Sequence, residues 1–268
     1  MIDSAWYALL DMPEEVTEKL KEIGRGSPCA VPESVKQACL CRATAEAGFE
    51  QLKEMLGDDP DGMKQLYALL QMTDATWARY MEKGISREIF AETMKFIPRF
   101  LRSLHRQIGR WKFAQGWWFW REVAMVEFRV GCLEYELVEE ENRRFISLHI
   151  PSDADMSKES IDRSMAQFRA FLQAYYPAWR NLPWECDSWM MCPALEKLLP
   201  ENSNILAFQR RFDVLEVNED SLGVLEWVFP GHEEVSDALP ENTSLQRNMK
   251  KWLLEGNKVG WTRAVLRP

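Results

Sequence analysis

A histidine and a glutamate occur in two neighbouring stretches whose pattern can bring their side chains together. The stretches 133–137 and 146–150 each alternate between apolar and polar residues, which is typical of half-buried β-strands. The polar link 139–143 between them is short enough for a hairpin. In an antiparallel hairpin Glu134 falls opposite either Ser147 or His149, and a Glu–His pair would orient the imidazole ring and raise its basicity. His149, with Glu134 beside it, is therefore the first candidate for moving a proton.

Other interpretations of the same residues stay open. His149 could belong to an exposed polar strand face, or it could be a hydrogen-bonded core histidine. Glu134 and Glu136 could act as bases through a water molecule, but alternating acids on a strand are also typical of a solvated face.

The elements that must position these residues begin with a helical first third. Helix-start and helix-stop signals alternate from residue 11 to residue 110, and no strand pattern occurs there. A longer helix is predicted from Ser86 to about Ile108, with a bend at Pro98. We therefore expect residues 1–110 to form a helical N-terminal domain.

Residues 111–268 show a mixed pattern that predicts an α+β domain with a mixed sheet and packed helices. A helix follows 153–157, another begins near Ser203, and Thr243 with Gln246 forms a capping box for a late helix. Besides the hairpin, strands are predicted at 186–191, 213–217, 224–229 and 260–266.

Four arginines form a stripe along the predicted helix before residue 110, because steps of three and four residues share one helical face. The stripe is either a solvated face that balances the charge of an acidic surface or a binding site for an anionic ligand. Its members are Arg99, Arg102, Arg106 and Arg110.

Composition excludes several classes of protein. The formal net charge of -9 argues against nucleic acid or an anionic membrane as the main partner. No run of 18 apolar residues occurs, so no membrane span is predicted. No signal peptide is apparent, so we expect a cytoplasmic protein. The 6 cysteines contain no Cys-x-x-Cys pair and there are 3 histidines, so no metal site is predicted.

Residues Gly109 to Ser157, together with Ser203 to Ile205 and Leu239 to Arg247, resemble a family of bacterial acyltransferases. Those proteins pair a helical N-terminal domain with a C-terminal domain similar to the GNAT superfamily, and the resemblance spans nearly the whole chain. It implies transfer of an acyl group from acyl-coenzyme A to an amine. If transfer occurs, we expect His149 to be the proton acceptor with Glu134 beside it, because His149 ends a strand where it meets the loop that should face the cofactor.

The resemblance also implies where coenzyme A would bind. GNAT enzymes hold its pyrophosphate on a glycine-rich loop before a helix N-terminus. The matching stretch here is 150–157, which contains Ser152 but departs from the pattern because it has no glycine and carries Asp153 and Asp155. Asn204 matches the opening of a late family helix that offers a tyrosine acid, although no tyrosine follows here. Arg247, after the capping box, could meet a phosphate.

The sequence therefore predicts acyl transfer from acyl-coenzyme A to a small amine-type acceptor. Two alternatives remain. One is a ligand-binding module that kept the GNAT-like fold and lost the phosphate loop. The other is a carbohydrate-active enzyme that uses paired carboxylates in a cleft lined by some of the 12 tryptophans.

Overall fold

The computed structural model describes residues 2–26 and 30–268. The chain divides into two compact units, Met1–Val130 and Gly131–Pro268. The first is helical and the second contains a mixed sheet with helices, so the predicted α+β class is confirmed. The domain bounds 1–110 and 111–268 stay a prediction about where independently folding domains begin and end. Among the described residues, no helix is both long and apolar enough to cross a bilayer.

The first unit is built from helices and ends in one short strand. Its described elements are α1 (Ser4–Leu9), α2 (Glu14–Gly26), α3 (Glu33–Leu40), α4 (Ala45–Leu56), α5 (Met63–Leu70), α6 (Thr73–Lys83), α7 (Arg87–Met94), α8 (Phe96–Ile108), α9 (Gly116–Val123) and β1 (Glu127–Val130).

The helix predicted from Ser86 to Ile108 is wrong as a single element. Ser86 caps α7 by accepting a hydrogen bond from the Ile89 amide, but α7 ends at Met94 and α8 begins at Phe96. The break lies one turn before Pro98 because proline has no N–H and its ring clashes with the carbonyl four residues earlier. Pro98 therefore occupies the first turn of α8, where a missing N–H costs nothing.

Aromatic side chains form much of the core of the first unit. Tyr80 and Phe90 are fully buried and meet edge to face with ring centroids 5.1 Å apart. Phe96 and Phe119 are also buried, and their rings stack at 6.0 Å. Contacts of this kind add to the stabilisation that comes from burying large apolar surfaces.

The second unit carries five strands in the order β2-β3-β4-β6-β5. β2 and β3 are antiparallel, β3 and β4 parallel, and β6 runs antiparallel to both β4 and β5. The α-helices and strands of this unit are β2 (Leu133–Glu139), β3 (Arg144–His149), α10 (Lys158–Tyr175), β4 (Trp184–Ser188), α11 (Asn204–Gln209), β5 (Phe212–Asn218), α12 (Gly223–Val228), α13 (Ser244–Leu254) and β6 (Trp261–Leu266).

The two faces of this sheet differ in chemistry because successive side chains of a strand point to opposite sides. On one face Tyr135 stacks on Phe168 of α10 at 3.9 Å, and Trp184 packs edge-on against the same ring. The other face carries acids and bases from every strand. This amphipathic pattern is the one that the alternation in 133–137 and 146–150 predicts.

The strand predicted at 224–229 is wrong, because these residues form helix α12. Val224, Leu225 and Val228 are buried, whereas Glu226 and Trp227 are exposed. Buried residues that follow one another by one and three positions are typical of a helix. A short apolar run in the sequence alone does not distinguish a helix from a strand. The strand predicted at 186–191 is shorter than expected, since β4 ends at Ser188 and a 3-10 turn, Trp189–Met191, follows.

Candidate functional site

His149 lies at the end of β3 and its ring contacts an acid on the neighbouring strand. The Nε2 atom of His149 lies 3.1 Å from Oε2 of Glu136, a hydrogen-bonding distance. Both side chains are largely enclosed, with 20% of the histidine and 13% of the glutamate exposed. A carboxylate at this distance fixes the orientation of the ring. The pair therefore has the geometry of a base and the group that orients it.

Glu134 is the residue opposite His149 in the β2–β3 ladder, and Glu136 is opposite Ser147. The hairpin register thus places Glu134 beside His149, while the hydrogen bond runs diagonally to Glu136. Glutamate is long enough to bridge a diagonal pair across two antiparallel strands. Glu134 is buried, as is Ser147.

Asp187 joins this polar face from the parallel strand next to β3. Ser147 pairs with Glu185, so His149 and Asp187, each two residues further along, lie on the same face. His149 is the last residue of β3, and Asp187 is the last but one of β4. Asp187 is exposed as a residue, but its neighbours enclose the carboxyl group enough for burial to raise its pKa. The Arg263 guanidinium, a hydrogen bond from Trp261 and the nearby His149 oppose this rise, and Glu216 adds to it.

Sequence patterns missed Asp187 because its strand was predicted to continue to residue 191 as a buried run. The signal that could have found it is the pairing of β3 with β4, which brings two distant strand ends together. The sequence pattern marks Glu136 only as an alternative base, because its diagonal bond depends on side-chain length as well as on register.

The stretch 150–157 leads from His149 to the N-terminus of α10, and that terminus already holds an acid. Asp155 accepts a hydrogen bond from the Ser157 amide at 2.9 Å and one from the Ser160 hydroxyl at 2.5 Å. The bond from Ser160 is the largest cause of a lowered pKa at Asp155. A carboxylate therefore occupies part of the position that a pyrophosphate takes on a glycine-rich loop, and this loop does not fit that mode of binding. Ser152 is exposed in this stretch.

Asn204 and Arg247, predicted to contact the cofactor, lie on α11 and α13. Asn204 is exposed in the first turn of α11, after the cap that Ser203 makes with the Ile205 amide. Arg247 is exposed and donates a hydrogen bond to the carbonyl oxygen of Glu241 at 2.8 Å. Within 2–26 and 30–268, neither residue makes a hydrogen bond or an ion pair with His149.

Two members of the arginine stripe meet acids of the helical unit. Arg102 contacts the Asp11 carboxylate at 2.9 Å, and Arg110 lies 3.5 Å from the carboxylate of Asp61. These exposed pairs favour the interpretation of the stripe as a solvated face.

Two family models match the chain. The model for an N-acyltransferase N-terminal domain matches residues 4–125, and the model for a GNAT-like C-terminal domain matches residues 105–266. Together they span nearly the full length. No curated protein matches the chain.

The solved structures that are similar to this chain in fold include acyltransferases in complex with acyl-CoA. One, in complex with decanoyl-CoA and teicoplanin, has a TM-score of 0.80 and 21% identity over 97% of this chain and 85% of its own. A variant acyltransferase in complex with octanoyl-CoA has a TM-score of 0.82 and 20% identity over 97% and 86%. A third, in complex with decanoyl-CoA, has a TM-score of 0.72 and 19% identity over 99% of both chains. At these identities the likeness concerns the fold.

Proposed function

We propose, from the premise that this chain belongs to the acyltransferase family with an N-acyltransferase N-terminal domain and a GNAT-like C-terminal domain, that it transfers an acyl group from acyl-coenzyme A to an amine of a small-molecule acceptor. The observation that carries the proposal is the contact between His149 and Glu136 at the end of β3. The contact lies within the matched GNAT-like domain, and it supports the proposal because amine acylation needs a positioned base.

Acyl-coenzyme A is proposed as the donor on the evidence of structures that share the fold. Solved acyltransferases with this fold hold decanoyl-CoA or octanoyl-CoA. Their acyl chains are of medium length, so a medium-chain thioester is the first donor to test.

The acceptor is proposed to be a molecule with a primary amine. One structure with the same fold contains teicoplanin, so an acceptor larger than a simple amine is compatible with this architecture. In the present chain Asp187 lies on the same sheet face as His149, and Glu216 lies further along that face. Carboxylates at these positions suit an acceptor that arrives as an ammonium ion, and we propose Asp187 as its first contact.

The chemistry assigns separate roles to the two residues of the pair. Nε2 of His149 donates its hydrogen to Glu136, which leaves Nδ1 as the basic nitrogen of the neutral ring. Nδ1 takes a proton from the acceptor amine, whose lone pair then attacks the thioester carbonyl carbon. The carbon–nitrogen bond forms, the carbon–sulfur bond breaks, and the attacking nitrogen releases its second proton to solvent. The departing thiolate takes the proton held by the His149 imidazolium and becomes the free thiol. Glu134 is proposed as a second carboxylate beside the base.

Binding of coenzyme A phosphates is proposed to depend on side chains. The loop 150–157 has no glycine, and Asp155 uses the Ser157 amide at the helix N-terminus. Ser152, Asn204 and Arg247 are the candidates for these contacts. All three are exposed, so their side chains are accessible to a ligand.

Calorimetric titration with acetyl-, octanoyl- and decanoyl-coenzyme A tests the proposed donor, and release of free thiol in the presence of primary amines tests transfer. Saturable binding with amine-dependent thiol release supports the proposal. Binding without thiol release favours a ligand-binding module. Absence of binding by all three thioesters overturns the proposal, and affinity for oligosaccharides would then favour a carbohydrate-active enzyme.

A further inference from the structure

The helical unit contains a small cavity that the proposed transfer reaction does not use. It has a volume of about 210 Å³ and is lined by residues from α1, α2 and α5 and by one residue before them. The lining residues are Ile2, Tyr7, Lys21, Gly24, Arg25 and Tyr67. No acid is among them, although the whole chain has a formal net charge of -9.

Two tyrosine hydroxyls are the most informative groups of this cavity. Tyr7 and Tyr67 are both buried as residues, and both line the cavity. Burial, with a smaller contribution from the neighbouring Tyr67, raises the pKa of Tyr7 to about 12. The Tyr7 hydroxyl therefore keeps its hydrogen at neutral pH and remains a donor. A tyrosine hydroxyl can donate a hydrogen bond, so two tyrosines in the wall of a cavity suit a ligand that accepts hydrogen bonds.

The position of Tyr67 depends on the absence of a side chain at Gly24. A Cβ atom added to Gly24 would lie 2.6 Å from the Tyr67 hydroxyl oxygen. Glycine costs stability inside a helix such as α2 compared with alanine. Its presence here brings the hydroxyl close to the α2 backbone, at the wall of the cavity.

Two cations complete the lining. Lys21 lies 2.7 Å from Glu18, and these side chains are 39% and 54% exposed. An ion pair this exposed contributes little to stability, so Lys21 can exchange Glu18 for another anion at small cost. Arg25 is exposed, and its charge also helps to lower the pKa of Glu18 after the larger effect of Lys21.

We infer that this cavity is a binding site for a small oxyanion, either phosphate or a carboxylate. The two hydroxyls and the two cations are all donors, and an oxyanion is the ligand that accepts from both kinds of group. The volume of about 210 Å³ is below the range of roughly 300–1,000 Å³ that holds drug-sized ligands, which limits the occupant to a small molecule or ion.

The test follows the tyrosine ring signals by NMR in protein whose 6 tyrosines are labelled with carbon-13. Tyr7→Phe and Tyr67→Phe identify the two signals and remove only a hydroxyl each. Sodium phosphate and sodium acetate are titrated separately, with sodium chloride at matched ionic strength as the reference. We expect a saturable shift of both signals with phosphate or acetate, and the arm that responds identifies the anion.

Variants show whether the donors bind the anion. A hydrogen bond to a charged group stabilises by roughly 1.5–3 kcal/mol, so loss of either hydroxyl should weaken binding by about tenfold or more. Gly24→Ala should also weaken it while leaving both hydroxyls in place. The controls Tyr175→Phe and Arg87→Gln should bind as the unmodified chain does.

The inference is overturned if neither anion gives a saturable shift of the Tyr7 and Tyr67 signals, or if chloride gives the same shift. It is also overturned if both phenylalanine variants fold and bind with unchanged affinity. None of these outcomes depends on acyl transfer, so the proposed function and this site can fail separately.

Discussion

The imidazole of His149 bonds to Glu136 at 3.1 Å, although the residue opposite it in the strand ladder is Glu134. The backbone register and the side-chain contact thus select different glutamates. Glu134 lies opposite the ring and forms part of its surroundings, whereas Glu136 fixes its orientation. A sequence pattern alone does not separate these two roles.

Replacing His149 by glutamine removes the proposed base and keeps a polar side chain of similar length. We expect turnover to fall by roughly two to four powers of ten, the usual effect of losing a general base. The melting temperature should change little, since the residue lies at a strand end. Thiol-release kinetics and a thermal melt measure the two quantities. The matched control is His232→Gln, and a large stability loss with unchanged turnover per folded molecule would identify His149 as structural.

Glu136→Gln and Glu134→Gln distinguish the two glutamates. Glutamine at 136 can bond to the ring but can hold it in the wrong tautomer, so we expect turnover to fall by up to about 10⁴-fold, the effect known for a carboxylate that orients a catalytic histidine. Glutamine at 134 should have a smaller effect, because the 3.1 Å hydrogen bond of the ring runs to Glu136. Equal losses, or a larger loss at 134, would contradict the assignment of Glu136 as the orienting group.

The α+β class and the hairpin were predictable because they depend on short-range signals. Alternation in 133–137 and 146–150 sets which side chains share a face, and the link 139–143 sets the turn. The register pairing Glu139 with Arg144 then follows from the length of the link. These features require no knowledge of distant parts of the chain.

The parts that sequence patterns missed depend on distant neighbours. Asp187 joins the polar face only because β4 lies beside β3 in parallel, and no local pattern encodes that pairing. The 224–229 run became a helix because its buried residues meet a core cluster that includes Met249 and Val259, which come later in the chain. Pro98 correctly predicts an interruption of the helix, but the break lies about one turn before the proline.

The capping box at the start of α13 should make a measurable contribution to stability. Thr243 accepts from the Gln246 amide at 3.1 Å, and the Gln246 side chain accepts from the Thr243 amide at 3.2 Å. We expect Thr243→Ala to lower the free energy of unfolding by about 1 kcal/mol, measured by urea denaturation. Gln246→Ala should lower the free energy of unfolding further, since the side-chain amide of Gln246 also donates a hydrogen bond to the Val228 carbonyl at 2.9 Å. Thr243→Ser keeps the cap, and an equal loss in that variant would contradict the prediction.

Gly131 is expected to tolerate no side chain. Its φ is +69°, and an added Cβ would lie 2.8 Å from Cβ and 2.9 Å from Cα of Ser164. We expect Gly131→Ala to lower the free energy of unfolding by roughly 2–5 kcal/mol, combining left-handed strain with overpacking. Gly256→Ala is the matched control, because its φ is +82° and nothing lies within 4 Å of the added atom. Equal losses in the two variants would show that strain alone, rather than contact with Ser164, sets the cost.

Asp187 should oppose folding near neutral pH. Burial raises its folded-state pKa above the ordinary value of 3.8, so the folded chain holds the proton more tightly than the unfolded chain does. The stability that this carboxyl contributes is therefore complete below the unfolded pKa and is lost as pH rises through the folded pKa. We expect Asp187→Asn to raise the urea midpoint at about pH 7 and to leave it unchanged at about pH 3.5. The gain should stay below about 1 kcal/mol because solvent screens an exposed group.

The same substitution should reduce acyl transfer if Asp187 receives the acceptor as an ammonium ion. We expect a higher KM for the amine with little change in kcat, since binding is lost and the base remains. A stabilised protein with weaker acceptor binding is the trade-off typical of a charged group held at a functional site. Asp213→Asn on β5 is the control, because that exposed carboxylate pairs with Arg267 at 2.7 Å and should give neither effect. Lower stability of Asp187→Asn near pH 7 would mean that its contacts with Arg263 and Trp261 outweigh the cost of burial.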